Sequence, residues 1–288
     1  MEKAIPMTSS DVLKKQKRMR RIRDNVELYS LILPVLIHIF IFCYIPMYGI
    51  LIAFQNYTPG SPILAFDGSV KWVGLKHFVS FVTSPMFPRL FYNTFHLSFL
   101  NLAFGFLCPI LFALLVNELK DNFFKKFLQT TSYMPYFISN VVICGMLKSF
   151  LAYDGLFNQI GAVFGMAPKS FLSNPALFPS VIVFSDLWQS IGWNSIIYMA
   201  ALAGIDPDLY EAAHIDGCGR LRQIWHITLP GIVPTMVTLL ILSIGGLLGA
   251  NSDKILLLYS PLTYETGDVI GTFVYRRGIK GGDFSYST

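Results

Sequence analysis

Charge is scarce in this chain. Of its 288 residues only 14% are charged, with 17 acids against 22 lysines and arginines, while 53% are hydrophobic and the mean hydropathy is +0.54. That balance excludes a soluble domain and a disordered chain alike and describes an integral membrane protein. Cysteine is also sparse. Cys43, Cys108, Cys144 and Cys218 have no paired spacing, so neither a disulfide framework nor a zinc site is expected, and all four read as small buried hydrophobes. No Gly-Lys dipeptide occurs, which excludes the Gly-x4-Gly-Lys-Ser/Thr phosphate loop; any nucleotide-derived energy has to come from another subunit. Gly217-x-Gly219 is only part of a dinucleotide fingerprint, and no strand precedes it. His38, His77, His96, His214 and His226 show neither metal-ligand spacing nor a His-Glu-x-x-His pattern. No cofactor and no metal are expected on this chain. The net charge of +5 does not point to nucleic acid, because the basic residues gather beside the first apolar run, where they set membrane orientation.

What the chain has in quantity is long apolar runs. Residues 1–28 form a basic N-terminal segment with Lys14, Lys15, Lys17, Arg18, Arg20, Arg21 and Arg23, held in the cytoplasm by the positive-inside rule. Residues 29–288 form a transmembrane domain. Its first run, 29–54, is too long for a signal-peptide core of about 7–15 residues. Further spans are expected at about 93–116, 137–151, 178–203 and 232–248, giving five in all. Gly245 with Gly249 makes the four-residue spacing that lets helices approach closely. Between the first two spans, Pro59-Gly60-Ser61-Pro62 marks a turn. The stretch from Trp72 to Phe78 is amphipathic, either lying at the membrane interface or packed as a loop helix on the bundle. Residues 251–288 fall outside the cell on this count, and that tail carries an excess of basic residues (Lys254, Arg276, Arg277, Lys280) that the inside rule disfavours.

One polar island, 205–231, interrupts the apolar runs, and helix counting places it in the cytoplasm. Within it Glu211-Ala212-Ala213, then Gly217, then Ile227-x-Leu229-Pro230 are set at fixed intervals. Glu211 sits early in a helix-forming stretch, where the helix dipole favours an acid. Gly217 permits a turn or a close approach, and Leu229-Pro230 is expected to close the segment. The expected product is a pair of short helices meeting at a bend. An ordinary amphipathic loop between membrane helices is the plainer alternative, and seven matched positions weigh against it.

This spacing resembles the coupling motif of the membrane subunits of ATP-binding-cassette importers, with Glu211, Ala212, Ala213, Gly217, Ile227, Leu229 and Pro230 meeting every fixed position. Met134 to Ser139 and Pro261 to Arg276 are similar to permeases of the complex-polysaccharide or oligosaccharide group. The resemblance implies an all-α, polytopic bundle of the type I importer permease kind, in the cytoplasmic membrane of a bacterium, with a sixth helix beyond the five visible here. The implied partners are a second permease subunit forming a heterodimer, two nucleotide-binding ATPase subunits carrying ATP and magnesium, an extracellular solute-binding lipoprotein, a carbohydrate substrate and membrane lipid. Since the sequence stops at Thr288, either it is a fragment or the final helix is missing from it.

Polar groups inside apolar spans are the remaining signal, because such groups in lipid face a cavity or a partner. Ser139 and Asn140 qualify on the third span, with Lys148. Asp186, Gln189, Trp193 and Asn194 qualify on the fourth, where 186, 189 and 193 share one helical face, and Ser243 and Asn251 qualify on and beyond the fifth. Amides, hydroxyls and carboxylates bind sugar hydroxyls, and Trp188 and Trp193 offer flat faces to a pyranose ring. The competing account is structural: Asp186 and Lys148 neutralise each other, and the amides tie helices together. Two other functions compete at this level. A permease for a non-sugar cargo shares the motif, and a membrane glycan enzyme needs a pair of adjacent carboxylates, which Asp154, Glu265 and Asp268 do not suggest by their spacing.

Overall fold

A computed structural model describes residues 25–65, 68, 70–120, 122–246 and 252–288. The basic run before residue 25, Gly249 and Asn251 lie outside the described residues. Regular structure among the described residues is helical throughout; the only strand-like pairing is a single antiparallel bridge between Gln55 and Trp72. The chain groups into two compact units. One holds the first helix and its loop as far as Val79 together with Phe284–Thr288, and the other is Ser80–Asp283.

In the first unit, α1 (Val26–Phe54) is long and apolar, and none of its most apolar 18 residues is buried within the chain. A helix apolar on every face and unburied along all but its last turns is built for a lipid surrounding. Cys43 is therefore exposed on it, and the expectation that every cysteine would be buried holds only for Cys144. After α1 the loop is held by Gln55, whose Nε2 donates to the carbonyl of Ile63 at 2.8 Å. His77 Nε2 lies 3.1 Å from the Gln55 carbonyl. Only the end of the expected amphipathic stretch is helical, as part of α2 (Lys76–Val82), because Val73 N–H is taken by the carbonyl of Phe54 at 2.8 Å.

The second unit is built on α3 (Phe87–Asn117) packed along α7 (Phe178–Ala203). Two apolar clusters form where they meet. One includes Leu97, Phe178, Ile182 and Val183 with Ile255, Leu258 and Val269; the other holds Ile110, Ala113 and Leu114 with Tyr198, Leu202 and Ile232. Between them along both helices lie the polar residues. Among the described residues three helices are long and apolar enough to cross a membrane: α1, α3 and α9 (Arg220–Ile244). α7 has the length, at 26 residues, but Asp186, Gln189 and Asn194 lower its hydropathy.

The third expected span, 137–151, is shorter than a membrane crossing needs, because its first residues belong to a break in the helix. α4 (Asn122–Tyr133) ends in a tight 3-10 turn, Met134–Phe137, with Pro135 at its start. Ile138 and Ser139 are extended, and α5 (Asn140–Phe150) is only 11 residues long. At 1.5 Å per residue such a helix reaches about 16 Å, half the hydrocarbon thickness. α6 (Leu156–Val163) follows. Gly192 of α7 lets α4 approach, since a Cβ there would collide with the backbone of Ser132.

The tail beyond α9 differs most from expectation. It is folded against the bundle through α10 (Ser252–Leu258) and α11 (Ile270–Val274). Asn93 of α3 donates to the carbonyls of Glu265 at 2.9 Å and Asp268 at 3.1 Å. Ile270 N–H donates to Thr94 at 2.9 Å, and Thr266 donates to the carbonyl of Pro175 at 2.6 Å. Three of the four basic residues named in the tail are paired with acids, two within the tail and one on α7. Lys254 pairs with Asp186, Arg276 with the fully buried Asp268 at 2.6 Å, and Arg277 with Asp283 at 3.0 Å. The Arg276 guanidinium also lies over the Tyr264 ring at 4.4 Å, an added cation–π attraction.

Candidate functional site

The 205–231 island folds as a short helix, a left-handed turn and the start of a long helix. α8 (Pro207–Ile215) begins at Asp206, whose carboxylate accepts from Asp208 N–H at 3.0 Å, with Pro207 at the first helical position, where its missing N–H does no harm. Glu211, Ala212 and Ala213 lie on α8. It stops in a Schellman arrangement: Cys218 N–H donates to the Ala213 carbonyl at 2.8 Å and Gly217 N–H to that of His214 at 3.1 Å. This cap needs positive φ at the residue after the cap, and Gly217 supplies it with φ of 72°. A Cβ at Gly217 would meet nothing within 4 Å, so conformation and not space is what requires glycine here.

Ile227, Leu229 and Pro230 do not close the segment. They lie inside α9, which runs on without a break from Arg220 to Ile244. A wide π-type turn at Ile224–Thr228 comes just before the proline, with Leu229 N–H reaching the carbonyl of Ile224. Such a turn displaces the carbonyl that the Pro230 ring would strike and absorbs the missing donor. The two arms are joined where Tyr210 Oη and Thr228 Oγ1 meet at 3.0 Å. On the outside of this knob the large apolar side chains of Ile215, Leu221 and Trp225 are 85%, 76% and 69% exposed.

A cavity of about 260 Å³ opens between the middles of α3 and α7 and the end of α9. Its polar lining is Ser98, Asn101, Asp186, Ser190, Asn194 and Ser243. Ser98 Oγ is buried without a hydrogen-bond partner among the described residues, which leaves a hydroxyl to engage a ligand or water. Three expected residues, Asp186, Asn194 and Ser243, therefore meet in one place. Ser98, Asn101 and Ser190 were missed, although polar residues within an apolar run are the signal already applied to the other spans, and Ser190 follows Asp186 by one helical turn.

The other expected residues go elsewhere. The stripe of α7 that lines the cavity is Val183, Asp186, Leu187, Ser190 and Asn194. Gln189 and Trp193 point from the neighbouring face toward the break between α4 and α5. Gln189 Nε2 donates to the Ile138 carbonyl at 3.1 Å. Trp193 stacks on Tyr136 with ring centres 4.5 Å apart and planes 2° from parallel, with Phe137 edge-on at 5.5 Å. Ser139 caps α5, accepting from Val142 N–H at 3.4 Å, and Asn140 is its exposed first residue. Trp188 lines a separate, almost wholly apolar cleft of about 600 Å³ with Met146, Phe150 and Phe184.

Lys148 is not the partner of Asp186. Its side chain is exposed, whereas Lys254, 1% exposed, lies against the Asp186 carboxylate and donates to Gln189 Oε1 at 2.8 Å. Sequence reasoning missed Lys254 by placing it in an outer loop; the apolar run Ile255 to Leu258 directly after it was the overlooked sign of burial.

Comparison with known proteins agrees with this geometry. Residues 105–272 match the family described as the binding-protein-dependent transport system inner membrane component. The chain is 44% identical to the polygalacturonan/rhamnogalacturonan transport system permease protein YteP of Bacillus subtilis, over all of this chain and 89% of that protein. It is 40% identical to protein LplB of the same organism, over 94% of this chain and 84% of the other. Among solved structures it superposes with a TM-score of 0.85 at 39% identity on a chain of a bacterial ABC transporter involved in the import of the acidic polysaccharide alginate, covering 94% of this chain and 90% of that one. A second structure of a bacterial alginate ABC transporter, in complex with an alginate pentasaccharide-bound periplasmic protein, matches with a TM-score of 0.83 at 39% identity, covering 93% of this chain and 88% of the other. A family match across more than half of the chain, together with relatives alike along nearly its whole length, makes this protein a member of the binding-protein-dependent inner membrane transport family, a permease subunit of an ATP-binding-cassette importer.

Proposed function

We propose that this subunit carries an acidic oligosaccharide, a fragment of a uronic-acid glycan, across the cytoplasmic membrane. The observation that carries the reading is the polar cavity at mid-length of α3 and α7. Hydroxyls, amides and one carboxylate converge there, flanked on both sides by apolar clusters. Groups of this kind are costly in lipid unless a polar cargo or water meets them. Support for an acidic cargo comes from relatives named for polygalacturonan, rhamnogalacturonan and alginate.

Within this reading Ser98, Asn101, Asn194 and Ser243 hydrogen-bond sugar hydroxyls, and Trp193, stacked on Tyr136, lies outside the cavity. Trp188 stands apart from that path. Ile215, Leu221 and Trp225 of the knob enter a groove on one of two ATPase subunits, with Glu211 to Ala213 and Gly217 fixing the knob's shape. Nucleotide bound there drives alternating access only through unequal affinity for the two states of the bundle. The chain pairs with a second permease, receives cargo from an external binding protein and keeps its basic N-terminus in the cytoplasm. Uptake of labelled oligogalacturonate by cells carrying the complete importer tests the proposal. Uptake that needs this subunit and ATP is expected; preferential uptake of phosphate or amino acids would refute it.

A further inference from the structure

The buried pair beside the cavity has a feature that stability does not explain. Among the described residues lining the cavity Asp186 is the single charged one, and its partner Lys254 stands behind it, 1% exposed against 13% for the carboxylate. A buried ion pair is weak evidence for stability, since well-packed apolar residues of similar volume often serve as well. A bare carboxylate on the wall would repel an anionic cargo in a medium of low dielectric constant. The ammonium is fixed in place by a second bond, to Gln189 Oε1 at 2.8 Å, while the Gln189 amide is itself oriented by the Ile138 carbonyl at 3.1 Å. α10, which carries Lys254, packs on α5, and Ile255 is fully buried, so the cation is rigidly placed.

We infer that Lys254 is a specificity-determining residue: by cancelling Asp186 from behind, it sets the charge that the cavity shows its cargo and admits a glycan bearing carboxylates. This inference rests on the acidic-oligosaccharide reading above. Its test uses the complete complex in proteoliposomes, with ATP on the ATPase side and the binding protein outside. Uptake is read for labelled trigalacturonate and for its carboxyl-reduced, neutral counterpart, and the acid-to-neutral ratio is compared among variants.

Lys254→Met is expected to lower that ratio at least about tenfold and Asp186→Asn to raise it by a similar factor, as expected for one uncompensated charge a few ångströms from the cargo. The double variant returns the ratio to within about threefold of the unsubstituted value, as a neutral wall requires. The exchanged pair, Asp186→Lys with Lys254→Asp, keeps an ion pair but puts the ammonium on the wall, and its ratio rises. Equal ratios in all variants that still transport overturn the inference alone. Failure of every variant to assemble assigns the pair to stability and overturns it too. Absence of uptake of either glycan by the unsubstituted complex removes the acidic-oligosaccharide reading and this inference with it.

Discussion

The knob at 205–231 and the polar centre of α7 are built by opposite means. The knob closes on itself: its cap, turn and brace join residues at most 18 positions apart. The centre of α7 is assembled from distant pieces, with Gln189 bonded 51 residues back to Ile138 and Lys254 reaching 65 residues back to Gln189. The first region is a shape that the chain carries in its local sequence. The second exists only once α3, α5, α7 and α10 have packed, so its charges depend on the bundle and the bundle on them.

Substitutions can separate the two. Gly217→Pro has the largest expected effect: proline fixes φ near −65° where the cap needs about +70°, and it removes the N–H that bonds His214. Uptake should fall to background while the amount of subunit in the membrane, read by immunoblot, stays normal; Glu211→Lys should do the same. Next comes Lys254→Met, which strands a partly buried carboxylate and should lower stability by about 3–5 kcal/mol, seen as earlier unfolding in detergent. Adding Asp186→Asn should recover most of that loss, and if it does not, the pair is not a closed unit.

Gly192→Val tests the packing that positions the centre. The added side chain meets the Ser132 backbone and should cost about 1–3 kcal/mol through overpacking, measured by the same unfolding assay, with the knob's proposed contact to an ATPase subunit unchanged by cross-linking. The smallest effect belongs to Ser98→Ala. Its hydroxyl has no partner among the described residues, so stability should change by less than about 0.5 kcal/mol, while the apparent KM for oligosaccharide rises a few fold. A stability loss without a change in KM would make Ser98 a packing residue.

The sequence was legible wherever structure follows local rules. The fourth span, 178–203, coincides with α7, and the turn at Gly217 follows from glycine at a motif position. Pro230 misled because a proline normally stops a helix, and the π-type turn that rescues it leaves no pattern in composition. The third span misled in the opposite sense: hydropathy passes over Ser139, which caps α5 and leaves only Asn140–Phe150 helical. Asp186 stood out as a charge in an apolar run, yet its partner did not, because sidedness was assigned by counting spans and Lys254 fell beyond the last of them.

By itself the sequence determined that this is a helical membrane protein without a nucleotide loop, that one polar island carries the fixed spacing from Glu211 to Pro230, and that α7 bears the polar groups. These follow from composition, period and spacing along one stretch of chain. Tertiary structure alone decided that Lys254 neutralises Asp186, that Gln189 and Trp193 turn away from the cavity while Ser98 and Asn101 face it, and that the tail is clipped to α3 through Asn93 and Thr94. Each of these is a meeting of residues far apart in sequence, and where a buried polar group finds its partner is set by how the helices pack.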